Sequence, residues 1–265
     1  MGTDILIGAA LSLVIALSAY LKKSLTKDGM AGAVLFGTLI YMFAGLLVWA
    51  SLIAFFVSSS VITKVHDRIS PRETEKNGRN IVQVISKASV ATFFSLLFFL
   101  LQKEIYLVAA VVSVATSNSD TWASEIGSLS KGKTFSILNF RETERGVSGA
   151  VSFLGTGASL LGSLFIAVIF TAIYWMTRSM DLVRFIYYMT IIGFGGFLGC
   201  FIDSYLGALV QAKYKGVLSG RITEVKWLPD EKVILASGFA LITNDAVNFL
   251  SSLSASVITV LLFAV

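Results

Sequence analysis

The chain of 265 residues is 55% hydrophobic and 14% charged, carries a formal net charge of +5 and has a mean hydropathy of +0.81. That balance excludes an ordinary soluble domain and places the chain among integral membrane proteins. One cysteine, Cys200, excludes an internal disulfide and multi-cysteine metal sites, and one histidine, His66 in a charged loop, excludes paired-histidine zinc motifs and argues against serine-histidine hydrolysis.

A hydrocarbon core of roughly 30 Å asks for about 20 apolar residues per helix. Apolar runs fall near residues 5–21, 29–63, 81–101, 105–117, 147–175, 185–212 and 233–263. The first is followed rather than preceded by its positive charges, so it reads as a retained helix and not as a signal peptide. The second is too long for one helix, and a break near Ala44-Gly45 divides it into two short spans. The expected fold is all-α: one integral membrane domain over residues 1–265, with about eight transmembrane helices and cytoplasmic loops near 64–80, 118–146 and 213–232.

Charge supports the split. With eight spans, one face receives Lys22, Lys23, Lys27, Lys64, Arg68, Arg72, Lys76, Arg79, Lys131, Lys133, Arg141, Arg145, Lys213, Lys215, Arg221, Lys226 and Lys232, which is 17 of the 21 Lys and Arg. Lys103, Arg178 and Arg184 fall on the other face and Lys87 inside a span. The positive-inside rule makes the crowded face cytoplasmic and puts both termini outside, in a prokaryotic plasma membrane. Basic residues sorted this way report orientation among membrane lipids, so nucleic acid is not an expected partner.

Polar residues at membrane depth mark a cytoplasm-facing cleft. At the start of the 81–101 run, Asn80, Gln83 and Lys87 form a helical stripe behind Arg79. Next, NSDTWASEIGSLSKGKT (118–134) gathers Asn118, Asp120, Glu125, Lys131 and Lys133. Its second half matches the phosphate-loop pattern, but an apolar helix precedes it where that motif needs a buried strand, so a P-loop fold is not expected; Lys131 and Lys133 read as loop cations within reach of phosphate. The glycine- and serine-rich GVSGAVSFLGTGASLLGS (146–163) suits close helix packing, and Ser148 between Gly146 and Gly149 lies where a helix N-terminus can approach an anion. Asp203 and Gln211 share a helix face in DSYLGALVQ, as do Asn244 and Asn248 in NDAVN, which also holds Asp245. Asp203 and Asp245 are the two acids inside apolar runs, where a carboxylate costs about 2.5 to 3.5 kcal/mol.

Through FFVSSSVITK (55–64), GRNIVQV (78–84), SDTWASEIG (119–127), GVSGAVSFLGT (146–156), DSYLGALVQ (203–211) and NDAVNF (244–249), nearly the whole chain resembles the membrane family catalogued as domain of unknown function 92, which includes transmembrane protein 19 and the phytyl-phosphate kinases. It departs in carrying Ser119 where the family more often has Ala, and Val147 and Ala150 in a Gly-Thr-x-Gly-Gly stretch. The resemblance implies transfer of the terminal phosphoryl group of CTP to an isoprenyl monophosphate of phytyl or geranylgeranyl type, with magnesium or another divalent metal. On that implication the catalytic residues are Asp120, Glu125 and Asp203, and the metal is offered Asp120, Glu125, Asp203 and Asp245, with Asp120 and Asp203 favoured. Phosphate and substrate contacts fall to Lys64, Arg79, Asn80, Gln83, Asn118, Lys131, Lys133, Ser148, Gln211, Asn244 and Asn248. Asp120 and Glu125 are about 140° apart around a helix and reach one metal only if the helix begins or breaks between them.

Cytidylyl transfer and transport of a small anion are the alternative functions. A transporter should show repeat-related broken helices meeting at the midplane, whereas here the polar groups cluster toward one face. A non-catalytic scaffold leaves the intramembrane aspartates unexplained. Chain length of the lipid and oligomeric state, a homo-oligomer included, are open at this level.

Overall fold

A computed structural model describes residues 2–70, 78–228 and 231–263. It contains seven helices among these residues: α1 (Gly2–Leu21), α2 (Lys27–Ile69), α3 (Ile81–Leu101), α4 (Glu104–Ser128), α5 (Phe153–Thr177), α6 (Leu182–Leu209) and α7 (Asn244–Phe263). All but α4 are long and apolar enough to cross a membrane. The chain is a mostly helical, polytopic membrane protein.

The long second run folds back on itself. Gly45 leaves the helical region with φ 68° and ψ −158°, a conformation open to glycine because it lacks a Cβ. Beyond it the chain reverses: Trp49 Nε1 donates to Ser12 Oγ at 3.0 Å, and a Cβ on Gly37 would lie 3.7 Å from the same nitrogen. In an uninterrupted helix positions 37 and 49 would stand about 18 Å apart. Phe56 packs with Met30 and Ala33 around Ala16 and Leu25, and Lys64 Nζ donates to the Lys22 carbonyl. α2 is therefore a hairpin of limbs 27–44 and 46–69, which gives eight helical limbs in the described chain.

α4 is the hub of the bundle, packed against α2, α3, α5, α6 and α7. From Leu107 to Ser119 every residue is buried. A helix ringed by other helices meets no lipid, and so can carry Ser113, Thr116, Ser117, Asn118 and Ser119 where a lipid-facing helix could not. Ser119 Oγ donates to the Ser159 carbonyl at 2.7 Å, and Ser256 Oγ to the Ala109 carbonyl at 2.9 Å. α6 approaches closely because Gly199 has no side chain; a Cβ there would overlap Thr116.

These lateral bonds carry α4 on to Ser128, so residues 118–128, expected in a loop, form its last three turns. Short strands also appear among the connections. β1 (Phe135–Ser136) pairs with β2 (Ala150–Val151), and β3 (Lys213–Gly216) is flanked by β4 (Ile222–Thr223) and β5 (Val233–Ser237). β5 occupies the start of the last apolar run, so the final helix begins at Asn244 rather than near 233.

Because the limbs alternate in direction, segments 22–26, 78–80, 129–152, 210–228 and 231–243 lie at one end of the bundle, with Gly45, 102–103 and 178–181 at the other. The described Lys and Arg residues crowd the first end, with Lys103, Arg178 and Arg184 opposite; Arg72 and Lys76 lie outside the described residues. At the opposite end Glu104 accepts from Tyr174 Oη at 2.7 Å and Tyr188 Oη at 2.6 Å, fastening α4 to α5 and α6.

Candidate functional site

At the loop-rich end, the last turns of α4 and α6, the first turns of α5 and the segment 145–152 enclose a cavity of about 300 Å³. Asp120 and Asp203 line it from α4 and α6. The two carboxyl groups are near enough to interact electrostatically. Lys87 Nζ, from α3, reaches Asp120 Oδ2 at 3.1 Å, Asn248 Oδ1 at 3.3 Å and Thr121 Oγ1 at 3.4 Å. Ser251 Oγ donates to Asp203 Oδ2 at 2.8 Å. Lys87 thus turns inward rather than toward lipid. With both acids ionised, the two carboxylates and one ammonium leave a negative site that favours a further cation.

The facing wall is largely backbone. Gly146 and Gly149 hold φ of 77° and 86°, and Gly149 lies so close to α6 that a Cβ would overlap Ala208. The turn leads into Ser152, the N-cap of α5, whose Oγ accepts from Gly155 N at 3.1 Å. Gly127 and Gly155 meet almost backbone to backbone, a Cβ on the first falling 2.9 Å from the Cα of the second. The positive end of the α5 dipole therefore borders the cavity. Arg145, Thr134 and Thr156 share this wall, Arg145 Nη2 donating to the Gly132 carbonyl at 2.8 Å. Carboxylates on one side and a helix N-terminus with an arginine on the other suit a metal-bound polyphosphate.

Ser148 and Asn244, both anticipated, line this cavity. Ser148 Oγ donates to Oε1 of buried Gln211 at 3.1 Å. Asn248 joins through Lys87. Other anticipated residues are engaged elsewhere. Glu125 stands apart from the Asp120–Asp203 pair because α4 runs unbroken through both positions; it accepts from Thr63 Oγ1 at 3.1 Å and lies 3.5 Å from His66 Nδ1. Asp245, in the first turn of α7, is not among the residues lining the cavity. The four expected carboxylates therefore do not assemble, and among the described residues no three His, Cys, Asp or Glu gather as a metal-ligand group.

Asn118 is a helix fastener: its Oδ1 accepts from Ser58 at 3.0 Å and Ser59 at 3.3 Å, and its Nδ2 donates to the Gly162 carbonyl at 2.7 Å. Asn80 and Gln83 form a capping box on α3. Lys64 is bonded to the end of α1. Lys131 is exposed and Lys133 pairs with Glu142 at 2.7 Å on the surface, and neither lines the cavity. GSLSKGKT spans the end of α4, so a helix precedes it and the phosphate-loop context is absent. Arg79 lies over the rings of Phe55 and Phe56, its guanidinium carbon 5.8 and 5.5 Å from their centroids.

The cavity also contains residues that sequence patterns did not single out. Arg145 counted only as a topological charge, although its place directly before the Gly146 turn marks it. Glu224 arrives from the loop after β4, and no spacing in the chain connects it to Asp203. It reaches from the surface into the cavity mouth, where lost hydration raises its carboxyl above the usual range against the opposing pull of Gln211 and Lys213.

Residues 10–256 match the family described as integral membrane protein DUF92. The chain is 30% identical to Protein PGR of Arabidopsis thaliana, the alignment covering 94% of this chain and 92% of that protein. It is 26% identical to an uncharacterized membrane protein of Methanocaldococcus jannaschii, over 83% of this chain and 88% of the other. It is 30% identical to Protein VTE6, chloroplastic, of Arabidopsis thaliana, over 57% of this chain and 48% of that protein. No solved structure matches the chain. The family match runs from α1 into α7 and takes in the cavity residues named above, and the chain belongs to the DUF92 family of integral membrane proteins.

Proposed function

We propose that the protein is a phosphotransferase that moves the terminal phosphoryl group of CTP to an isoprenyl monophosphate, with the cavity opening to the cytoplasm. The observation that carries this reading is the Asp120–Asp203 pair facing a helix N-terminus across one cavity. The resemblance to phytyl-phosphate kinases supplies the substrate class. In the reaction an oxygen of the lipid phosphate bonds to the γ-phosphorus of CTP, the bond from that phosphorus to the β–γ bridging oxygen breaks, and CDP leaves with the electron pair. A phosphomonoester has its second pKa near 6 and is largely ionised at neutral pH, so no general base is needed. What remains is holding two polyanions in line.

Two adjacent carboxylates on one cavity suit magnesium, which takes one or two carboxylates and fills its shell with phosphate oxygens and water. Bound there it would neutralise developing charge on the transferred group. Lys87 and Ser251 hold the two acids in place. The Gly146–Gly149 turn, Arg145 and the α5 N-terminus receive nucleotide phosphates, and Asn244 and Ser148 border them.

The test is to incubate detergent-purified protein with magnesium, geranylgeranyl monophosphate and each nucleoside triphosphate in turn, with mass spectrometry of the lipid. Geranylgeranyl diphosphate formed with CTP is the expected product. Absence of lipid diphosphate with every nucleotide would overturn the proposal.

A further inference from the structure

Apart from the polar cavity, an apolar crevice runs between α1, the two limbs of α2 and α3. Its walls are hydrocarbon, among them Ala16, Ala33, Phe36, Leu52 and Phe56, yet one end carries Arg79 and Lys87. We infer that this crevice receives the isoprenoid tail of the lipid phosphate and that Arg79 binds its phosphate head. The identity of the lipid rests on the phosphotransferase reading above.

Arg79 is mounted rigidly. Its N–H donates to the Ser24 carbonyl at 3.0 Å, its own carbonyl accepts from Thr26 N at 3.1 Å, and Gly29 leaves no room for a side chain beneath that carbonyl. The clamp presents the guanidinium to the crevice, where Nη1 is buried with no hydrogen-bond partner among the described residues. Burial lowers this guanidinium to about 10, with Glu125 opposing, so it stays cationic at neutral pH. A buried charged donor left without an acceptor is destabilising, and a phosphate oxygen satisfies it; the planar fork of arginine matches phosphate in two-point contact.

Lys87 lines the crevice and is ion-paired to Asp120, which lines the polar cavity. The two spaces thus share a wall made of one ammonium and one carboxylate. A head group held by Arg79 lies on the crevice side of that wall, with the Asp120–Asp203 pair beyond it. The crevice has a volume of about 70 Å³, enough for the head-proximal part of a prenyl chain, and the remainder extends between the helices into the bilayer. Discrimination among long chains is therefore expected to be weak.

The test uses the full chain in detergent without nucleotide, a geranylgeranyl monophosphate analogue with a diazirine near its head, and mass-spectrometric mapping of crosslinks. Crosslinks are expected on crevice residues of α1, α2 and α3; crosslinks confined to α5 and α6 would overturn the assignment. In competition, Arg79→Gln should weaken geranylgeranyl monophosphate at least tenfold and geranylgeraniol less than twofold, while Ala33→Phe should weaken both. Equal loss for the phosphate and the alcohol in Arg79→Gln would reduce Arg79 to a staple for Phe55 and Phe56. Competition by phosphatidic acid as effective as by the prenyl phosphate would make this a general phospholipid groove and also overturn the assignment. Should Arg79→Gln not purify, Arg79→Lys keeps the charge without the fork and is expected to lose three- to tenfold; unaltered affinity counts against the proposal. Wild-type protein that binds prenyl phosphate in the crevice yet transfers nothing would sink the transfer reading and leave this assignment standing. Turnover with unaltered KM for the lipid in both Arg79→Gln and Ala33→Phe would do the reverse.

Discussion

Replacing Asp203 by Asn separates a metal-holding acid from a helix fastener. The substitution keeps volume and removes one charge. Asp203 has the Asp120 carboxyl as its neighbour and accepts a hydrogen bond from Ser251 Oγ at 2.8 Å. Two carboxyl groups packed together in a buried site are costly to keep charged, and Lys87 offsets only part of that cost. The bond from Ser251 persists to an amide oxygen but loses about 1 kcal/mol as it becomes neutral. The neutral amide is cheaper to bury than a carboxylate and still accepts from Ser251, so the apparent Tm of detergent-purified Asp203→Asn should equal or exceed that of wild type. Turnover should fall at least about a hundredfold, or about 2.7 kcal/mol in the barrier, since one carboxylate of the Asp120–Asp203 pair is gone. Both quantities are to be measured on one preparation, by magnesium-dependent formation of lipid diphosphate and by thermal unfolding. Turnover within about threefold of wild type, with unchanged Tm, would remove Asp203 from the site.

Three further outcomes follow from the geometry. Lys133→Ala, at an exposed ion pair with Glu142, should change nucleotide affinity less than about threefold in equilibrium dialysis; loss as complete as in Asp120→Asn would restore the phosphate-loop reading of GSLSKGKT. Tyr188→Phe deletes the 2.6 Å bond to Glu104 far from the cavity and should lower unfolding stability by about 1 to 3 kcal/mol with kcat nearly unchanged; a large fall in kcat would show coupling between the two ends. In intact cells, cysteine at Gly2 should react with an impermeant maleimide and cysteine at Asn139, on the loop-rich end, should not, with Cys200 replaced by Ser as background; the opposite pattern would invert the orientation inferred from charge.

Much of this architecture is written in hydropathy and glycine. The 29–63 run exceeds one span, and Gly45 sits at the one place where a hairpin turn makes two limbs of it. Asp203 stood out because a carboxylate at membrane depth is costly, Asp120 because polar groups cluster in 118–134, and Ser148 and Asn244 by their place in short polar motifs; the structure places all four on one cavity. Cost marks a buried polar residue without naming its partner. Asn118 is as anomalous as Asp120 in sequence, yet its amide is consumed by Ser58, Ser59 and Gly162. The face of Glu125 hinged on whether α4 breaks after Asp120, and that depends on lateral bonds such as Ser119 to Ser159, made with residues remote in the chain. β5 escaped notice because a short apolar run ahead of a helix has the same hydropathy whether extended or helical.

The central claim, phosphoryl transfer from CTP to a lipid monophosphate, is tested most directly by label position. Purified protein is incubated with magnesium, geranylgeranyl monophosphate and CTP labelled either at the γ-phosphate or at the α-phosphate, and the lipid fraction is separated and counted. The expected result is one label per lipid diphosphate from γ-labelled CTP, none from α-labelled CTP, and CDP released in equal amount. Lipid labelled from the α-phosphate with release of pyrophosphate would make the protein a cytidylyltransferase, and no lipid label from either position would contradict the phosphotransferase account altogether.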